Sequence, residues 1–291
     1  MVLDNKHIKA RSVVNKLKKA LNKLLSEYSN SFVFDFIKDD NVTSQMDAHI
    51  SSGIIDRGVA TPDHVIRIKP KPLILTLSIQ ENRRGSIEKA VKSYVNDYKT
   101  YFETWSRKTK EEKIMLDPVP KIAWVEGIGL IGIGRSMKEA KTITDLAVQN
   151  IAVITDSEGA GGFYPVKNKD LFEMEYWSLE QAKLSKKPLS KLNGKVTIVT
   201  GAGGAIGAAI VRLFESEGAE VIAVDLDENA LKKHNFSSRV SKQCLDITDE
   251  AQAKKLIDDI VDQFGGLDIL ISNAGSAMQS SILEMDIKDL R

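Results

Sequence analysis

The sequence has little of what a disulfide framework or a local metal site requires. Cys244 is the only cysteine in 291 residues, so no disulfide bond can form within the chain. Such cysteine usage fits a reducing cytoplasm, where we expect the protein to reside. The four histidines are scattered, and no His-x-His, His-Glu-x-x-His or Cys-x-x-Cys spacing occurs. Local sequence therefore predicts no metal ligand.

Charge imbalance and long apolar runs are also missing. The 41 basic residues nearly balance the 40 acidic ones, so no global basic field points to nucleic acid. No apolar run is long enough to cross a bilayer, and the first residues lack the apolar core of a signal peptide. The locally basic segment 6–23 has leucines at helical spacing, which predicts an amphipathic helix docked on its own protein. We expect neither a nucleic-acid nor a membrane partner.

The chain divides into two unequal parts. A polar, basic stretch with a proline at 182–191 interrupts both the helical and the strand periodicity, which is typical of a linker. We predict a mixed α/β region over 1–181 and a second α/β domain over 192–291.

The first part mixes helices and short strands. Strands are predicted at 64–68, 73–77, 122–125 and 128–133. Ser86 is a predicted cap for a helix that buries aromatic residues as far as Trp105, and Ser136 with Glu139 forms a capping box before another helix. The glycine-rich run 159–162 follows no convincing strand, so we interpret it as a flexible connector rather than a phosphate-binding loop.

The second part alternates strands and helices. Strands are predicted at 195–199, 221–225, 240–245 and 267–271, and helices at 205–217, 227–234 and 249–264. Gly218 and Gly265 fall where helix C-caps belong, and Thr248 is the predicted N-cap of the last helix. Strand-helix alternation with short connections predicts a parallel, doubly wound sheet.

A glycine-rich turn separates the first strand of this part from its first helix. Glycines let the backbone approach a pyrophosphate closely, and the N–H groups at the positive end of the following helix then face the anion. A turn in this strand-turn-helix context predicts a dinucleotide site. The predicted cofactor contacts in the turn are Thr200, Gly201, Gly203, Gly204, Ala205, Ile206 and Gly207.

Residues at the ends of the other strands complete the predicted site. Asp225 ends the second strand, where a carboxylate can accept hydrogen bonds from the adenosine ribose. A 2′-phosphate about 4 Å from that carboxylate would be repelled by roughly 4 kcal/mol at an effective dielectric of ~20. No basic residue in the turn offsets this repulsion, so we predict NAD over NADP. The remaining predicted contacts are Asp246, Ile247, Asn273, Ala274 and Gly275.

At these residues the second part resembles the short-chain dehydrogenase/reductase family, which implies an incomplete Rossmann sheet. The family pattern Thr-Gly-x-x-x-Gly-x-Gly matches Thr200, Gly201 and Gly207, with Ala205 in place of the middle glycine. The run also fits Gly-x-x-Gly-x-x-Gly through Gly204. The resemblance implies that Asp246 contacts adenine and that the motif 273–275 stabilises the sheet.

The first part is similar to bifunctional class II aldolase/short-chain dehydrogenases at 60–69 and 172–184. The first segment reads Ala-Thr-Pro-Asp-His-Val-Ile-Arg-Ile-Lys, and the second contains Phe-Glu-Met-Glu-Tyr-Trp-Ser-Leu-Glu-Gln. The resemblance implies an enzyme of the rhamnulose-1-phosphate aldolase/alcohol dehydrogenase type, which acts in rhamnose and other deoxyhexose breakdown and oxidises lactaldehyde or a related small compound. It also implies that this chain is an internal or truncated piece.

Departures from the family leave the chemistry open. Ile128 stands where the aldolase has a histidine, so we assign no metal ligand, and we predict that His64 is a packed structural histidine rather than a substrate residue. The dehydrogenase family uses Ser and Tyr-x-x-x-Lys, but no tyrosine here has a lysine four residues later, so we assign no catalytic residue.

Three functional hypotheses remain. In the first, the chain is the NAD-dependent oxidoreductase portion of the bifunctional enzyme. In the second, it is a non-catalytic NAD-binding chain that needs a separate chain to complete its site. In the third, it is a non-functional remnant. A small hydroxy or aldehyde substrate is expected only if the missing segments are supplied. A homo-oligomer or a complementing chain is the expected protein partner, because a four-stranded sheet in the order 3-2-1-4 leaves one edge unpaired.

Overall fold

The computed structural model describes residues 5–28, 31–76, 84–184 and 190–275. Within these ranges the chain forms two four-stranded sheets flanked by helices. The strands are β1 (Val33–Ile37), β2 (Leu73–Leu75), β3 (Ile122–Val125), β4 (Gly129–Gly134), β5 (Val196–Thr200), β6 (Glu220–Asp225), β7 (Val240–Cys244) and β8 (Ile269–Ile271).

Helices cover both sheets. Those of the first part are α1 (Asn5–Leu25), α2 (Asp40–Ser52), α3 (Pro62–Ile68), α4 (Arg84–Ser106), α5 (Met137–Gly159), α6 (Asn168–Glu175) and α7 (Ser178–Ala182), with a 3-10 turn at Ile54–Arg57. Those of the second part are α8 (Ala205–Ser216), α9 (Glu228–Lys233) and α10 (Glu250–Phe264). None of the helices in the described ranges combines the length and apolar character needed to cross a membrane.

The first sheet has the order β1-β4-β3-β2, with β4 antiparallel to both neighbours and β2 parallel to β3. Helices α1 and α4 cover one face, where Leu21 and Val91 pack against Ala123 and Val125. Helices α2, α3 and α5 pack on the opposite face around Trp124. Because both faces are covered, every residue of β3 and β4 is buried.

The prediction of a strand at 64–68 was wrong. Thr61 caps α3 by accepting a hydrogen bond from the His64 N–H, and Pro62 occupies the first turn. Proline at that position and a threonine cap before it are helix-start signals, and they outweigh the β-branched residues that follow.

The other elements of the first part lie close to their predictions. The strands at 122–125 and 128–133 are confirmed as an antiparallel pair. Strand β2 confirms the first three residues of the strand predicted at 73–77, residue 76 is not part of it, and residue 77 lies outside the described residues. Ser136 caps α5 as predicted, whereas the Glu139 carboxylate accepts from the Arg135 N–H instead of closing the box on Ser136. Ser86 is not a cap, because α4 begins at Arg84. The run 159–162 follows a helix, not a strand.

The second sheet is parallel throughout and has the order β7-β6-β5-β8, which confirms the predicted doubly wound topology. Val211 of α8 and Leu231 of α9 belong to one hydrophobic cluster, and Ile260 and Phe264 of α10 belong to another. Gly265 ends α10 in the left-handed conformation as predicted. The N-cap of α10 is Asp249 rather than the predicted Thr248.

The two parts share a buried joint at the amino-terminal ends of β5 and β6. Val33 and Met137 of the first part lie in the same hydrophobic cluster as Val196 and Phe264. The carboxylate of Glu220, the first residue of β6, accepts a hydrogen bond from the Met137 N–H at 2.8 Å. The second sheet therefore has one end packed against the first part. The predicted domain boundaries at 182–191 stay a prediction.

Candidate functional site

The glycine-rich turn connects β5 to α8 at the carboxyl-terminal end of the second sheet. Gly201 has φ +65°, and a Cβ there would lie 2.9 Å from the Ala274 Cα. A Cβ on Gly207 would lie 2.1 Å from the Gly201 carbonyl oxygen, so the helix can approach the turn only with glycine at this position. Ala205 is exposed at the first position of α8, which accommodates its departure from the glycine pattern.

The start of α8 has no cap from a protein side chain. Gly204 is the N-cap residue and offers no side-chain acceptor. Among the described residues, the backbone N–H groups of Ala205, Ile206 and Gly207 have no acceptor outside the helix. Three unpaired donors at the positive end of a helix dipole form an anion-binding surface.

Asp225 faces this turn from the end of β6. Its Oδ2 accepts a hydrogen bond from the Gly203 N–H at 2.8 Å, and its Oδ1 accepts from the Asp227 N–H at 3.0 Å. A carboxylate has about four lone-pair sites, so it can accept further hydrogen bonds from ribose hydroxyls. The predicted ribose residue is thus next to the predicted phosphate loop.

The segment after β8 is tied to the end of β5. The Asn273 Nδ2 donates to the Thr200 carbonyl oxygen at 3.0 Å, and the Asn273 and Ala274 N–H groups donate to Thr200 Oγ1 at 3.0 Å. These bonds hold two strand ends together beneath the turn, as the resemblance implies. Gly275 is exposed, and nothing lies within 4 Å of a Cβ placed there.

The end of β7 contributes an acidic residue and an apolar one. Asp246 Oδ1 accepts hydrogen bonds from the Thr248 hydroxyl at 2.7 Å and from the Thr248 N–H at 2.9 Å. These two bonds stabilise the carboxylate and hold the pKa of Asp246 below its ordinary value. Ile247, which follows it, is exposed.

Sequence reasoning missed two residues at this end of the sheet. The first is Leu226, which follows Asp225 and is 71% exposed, much like the predicted contact Ile206 at the start of α8, which is 72% exposed. Exposed apolar side chains beside polar loops are typical of ligand sites. The second missed residue is His234, whose Nε2 lies 3.0 Å from the Gly203 carbonyl oxygen. No motif in the sequence marks a histidine at the end of α9.

Another cleft, of about 1080 Å³, lies between α1 and α10 at the joint. Its lining includes Lys16 and Lys19 on one side and Asp258 and Asp268 on the other. Ligands of parallel α/β sheets bind at the carboxyl ends of the strands, whereas this cleft reaches the beginnings of β5 and β8. We therefore place the candidate site at the glycine-rich turn.

The first part has no comparable centre in the residues described. His64 is buried, its Nδ1 lies 2.7 Å from Thr61 Oγ1, and burial lowers its pKa. His64 is therefore packed in the interior, and its assignment as a structural histidine stays a prediction. Ile128 packs against the core between the first sheet and α1. Within the described ranges, no group of three or more His, Cys, Asp or Glu residues could hold a metal ion.

Two family models match the two parts of the chain separately. A family model described as aldolase class II, second domain, matches residues 8–184. A model of the short chain dehydrogenase family matches residues 195–291.

Individual relatives match either most of the chain or about a third of it. The uncharacterized oxidoreductase YuxG of Bacillus subtilis (strain 168) is 26% identical over 269 residues, which is 88% of this chain and 39% of the relative. The 3-oxoacyl-(acyl-carrier-protein) reductase FabG of Thermotoga maritima is 34% identical over 34% of this chain and 42% of the relative. The meso-2,3-butanediol dehydrogenase of Serratia marcescens is 33% identical over 35% and 41%. The chain thus spans less than half the length of each of these relatives.

The parallel sheet, the glycine-rich turn and the matching model define the second part as a short-chain dehydrogenase domain. The chain belongs to the family in which an aldolase class II second domain precedes such a dehydrogenase domain, which confirms the resemblance noted in the sequence. Membership of the dehydrogenase class implies a nicotinamide cofactor.

Proposed function

We propose that the second part binds a nicotinamide dinucleotide at the glycine-rich turn and prefers NAD to NADP. The observation that supports this most directly is the Asp225 carboxylate, hydrogen-bonded to Gly203 beside the uncapped start of α8. One end of the site can hold an anion, and the other carries a negative charge that accepts hydroxyl groups. This pairing suits a pyrophosphate joined to an unmodified ribose.

The residues present fit the cofactor in three places. The N–H groups of residues 205–207 would hold the pyrophosphate, and Asp225 would accept hydrogen bonds from the adenosine ribose. The exposed side chains of Leu226 and Ile247 would offer apolar contact to the adenine, and the Asp246 carboxylate would accept a hydrogen bond from its amino group. When bound, the nicotinamide ring supplies the hydride chemistry of this class.

We propose that the parent reaction is oxidation of a small hydroxy or aldehyde compound. One relative is named for a small diol, meso-2,3-butanediol, which is in keeping with that class. The assignment to lactaldehyde and rhamnose breakdown rests on the family resemblance alone. The 291-residue sequence contains no Tyr-x-x-x-Lys pair, so our proposal for this chain is binding, with turnover once a proton-transferring group is supplied.

Calorimetric titration with NAD and NADP tests the cofactor proposal. We expect NAD to bind at least about tenfold more tightly, because the 2′-phosphate meets the Asp225 carboxylate. Asp225→Asn should remove most of that preference. Asp258→Asn, at an exposed position of α10, is the matched control and should preserve the preference. Equal affinity of the wild-type chain for the two nucleotides contradicts the NAD preference, and binding of neither favours the remnant hypothesis.

A further inference from the structure

The turn is held through its backbone by a residue that the cofactor contacts do not include. The Gly203 carbonyl oxygen lies 3.0 Å from Nε2 of His234, the residue that follows α9. We propose that His234 is a positioning residue that fixes this turn for the pyrophosphate of the dinucleotide. The inference rests on the proposed dinucleotide function and adds a residue to it.

The neighbours of the imidazole determine which of its nitrogens carries the proton. Arg212 Nη2 lies 3.2 Å from His234 Nδ1. A guanidinium group can only donate hydrogen bonds, so Nδ1 must accept and its lone pair must be free. The proton of the neutral ring is then on Nε2, which donates to the Gly203 carbonyl oxygen. The same geometry thus sets the tautomer and the direction of the bond to the turn.

Three elements hold the ring in place. The imidazole stacks on Phe236, with ring centroids 5.3 Å apart. The Lys242 ammonium of β7 donates to the His234 carbonyl oxygen at 2.7 Å, and Arg212 approaches from α8. A side chain fixed on its face, on its far nitrogen and through its own backbone can orient its partner.

The contacts of Asp225 and His234 restrain both peptide planes that flank the Cα of Gly203. Asp225 fixes the plane before it through the Gly203 N–H, and His234 fixes the plane after it through the carbonyl oxygen. Glycine loses more backbone conformational entropy on ordering than any other residue. If the turn were unrestrained, this loss would occur when the nucleotide binds and would weaken its affinity. Holding both planes keeps the first N–H groups of α8 aimed at one position.

Titration of the full chain with ADP and with adenosine tests this role, because only ADP carries the diphosphate that the turn would bind. We expect His234→Ala to weaken ADP binding about fivefold to tenfold and adenosine binding less than about twofold. His234→Gln, whose amide N–H can replace Nε2, should recover part of the ADP affinity. Lys233→Ala, at the exposed last residue of α9, should bind both compounds like the wild type.

The outcomes separate this inference from the function on which it rests. If the wild-type chain binds neither compound, the dinucleotide proposal itself fails. If it binds ADP and His234→Ala binds ADP equally well, or if that variant loses ADP and adenosine affinity in equal measure, the positioning role is overturned. If His234→Ala does not fold, Arg212→Met is the alternative variant, because it removes the group that sets the imidazole tautomer. That variant must lose ADP affinity while keeping adenosine affinity.

Discussion

The two ends of the second sheet are built for different purposes. At the carboxyl end, Ile206 and Leu226 are mostly exposed, and the start of α8 leaves backbone donors open. At the amino end, Glu220 is only 4% exposed and accepts a hydrogen bond from the first N–H of α5 in the first part. One end is available to a ligand, and the other is used to join two parts of the chain. Changes at the joint should therefore alter stability, and changes at the open end should alter binding.

The largest effect is expected for Gly194→Ala at the joint. Gly194 has φ +77°, and a Cβ there would lie 1.9 Å from the Ser31 carbonyl oxygen of the first part. Strained backbone and overpacking together should lower the free energy of unfolding by about 4 kcal/mol. Urea denaturation measures this loss, and Gly266→Ala, where a Cβ meets nothing within 4 Å, is the control. A Gly194→Ala loss below about 1 kcal/mol would show that the joint is loose.

A pH-dependent effect of the next size is expected at Lys18. Its buried Nζ donates to the Asp262 carbonyl oxygen at 2.8 Å, and burial lowers its pKa from 10.5 to about 8. The unfolded chain then binds more protons between pH 8 and 10.5, so the free energy of unfolding rises with pH in that window. Below pH 8 the amine is charged in both states, and the free energy of unfolding is lowered by the full cost of burying that charge.

Lys18→Met should remove this dependence. The difference in unfolding free energy between wild type and variant is expected to change by up to about 3 kcal/mol between pH 7 and pH 10. Lys19→Met, at the exposed neighbouring position, should follow the wild type. Parallel pH profiles for Lys18→Met and the wild type would show that the amine is not held as the structure describes.

A smaller loss is expected for Glu220→Ala. The variant leaves the buried Met137 N–H at the start of α5 without its acceptor, which should lower the free energy of unfolding by about 2 kcal/mol. Glu173→Ala, which removes an exposed pair with Lys169, should cost less than about 0.5 kcal/mol. NAD affinity should be the same in both variants. A large change in NAD affinity for Glu220→Ala would contradict the claim that the joint affects stability and not binding.

The smallest stability effect is expected for Leu226→Ala at the open end. Because the side chain is mostly exposed, the free energy of unfolding should stay within about 0.5 kcal/mol of the wild type. NAD binding should nevertheless weaken about threefold to tenfold, since the variant removes apolar contact to the adenine. Leu213→Ala, also exposed but farther along α8, is the control. Unchanged NAD affinity in Leu226→Ala would exclude it from the adenine contact.

Sequence patterns predict the second part better than the first. Strand-helix alternation and the turn at 200–207 depend on local spacing, and the sheet has the predicted order. The first part depends on long-range packing: the segment 64–68 has strand-forming residues, yet the Thr61 cap and Pro62 make it a helix. A propensity argument that ignores the residues before a segment can therefore assign it the wrong secondary structure.

The joint and the His234 contact could not be predicted for a different reason. Glu220 is an acidic residue at a strand start, where sequence alone suggests solvent, and its helix partner Met137 is far away in the chain. His234 acts on a backbone carbonyl, which leaves no motif of spaced side chains. Contacts to backbone atoms of distant segments have no local sequence signature.

Hydrogen exchange of the full chain with and without NAD tests the division between the two ends most directly. We expect added protection at the amides of 203–207 and 225–227, which surround the turn. We expect no change at 33–37, 137–140 and 194–196, which form the joint. Protection at the joint or in the cleft between α1 and α10, with none at the turn, would contradict the assignment of the carboxyl end as the dinucleotide site.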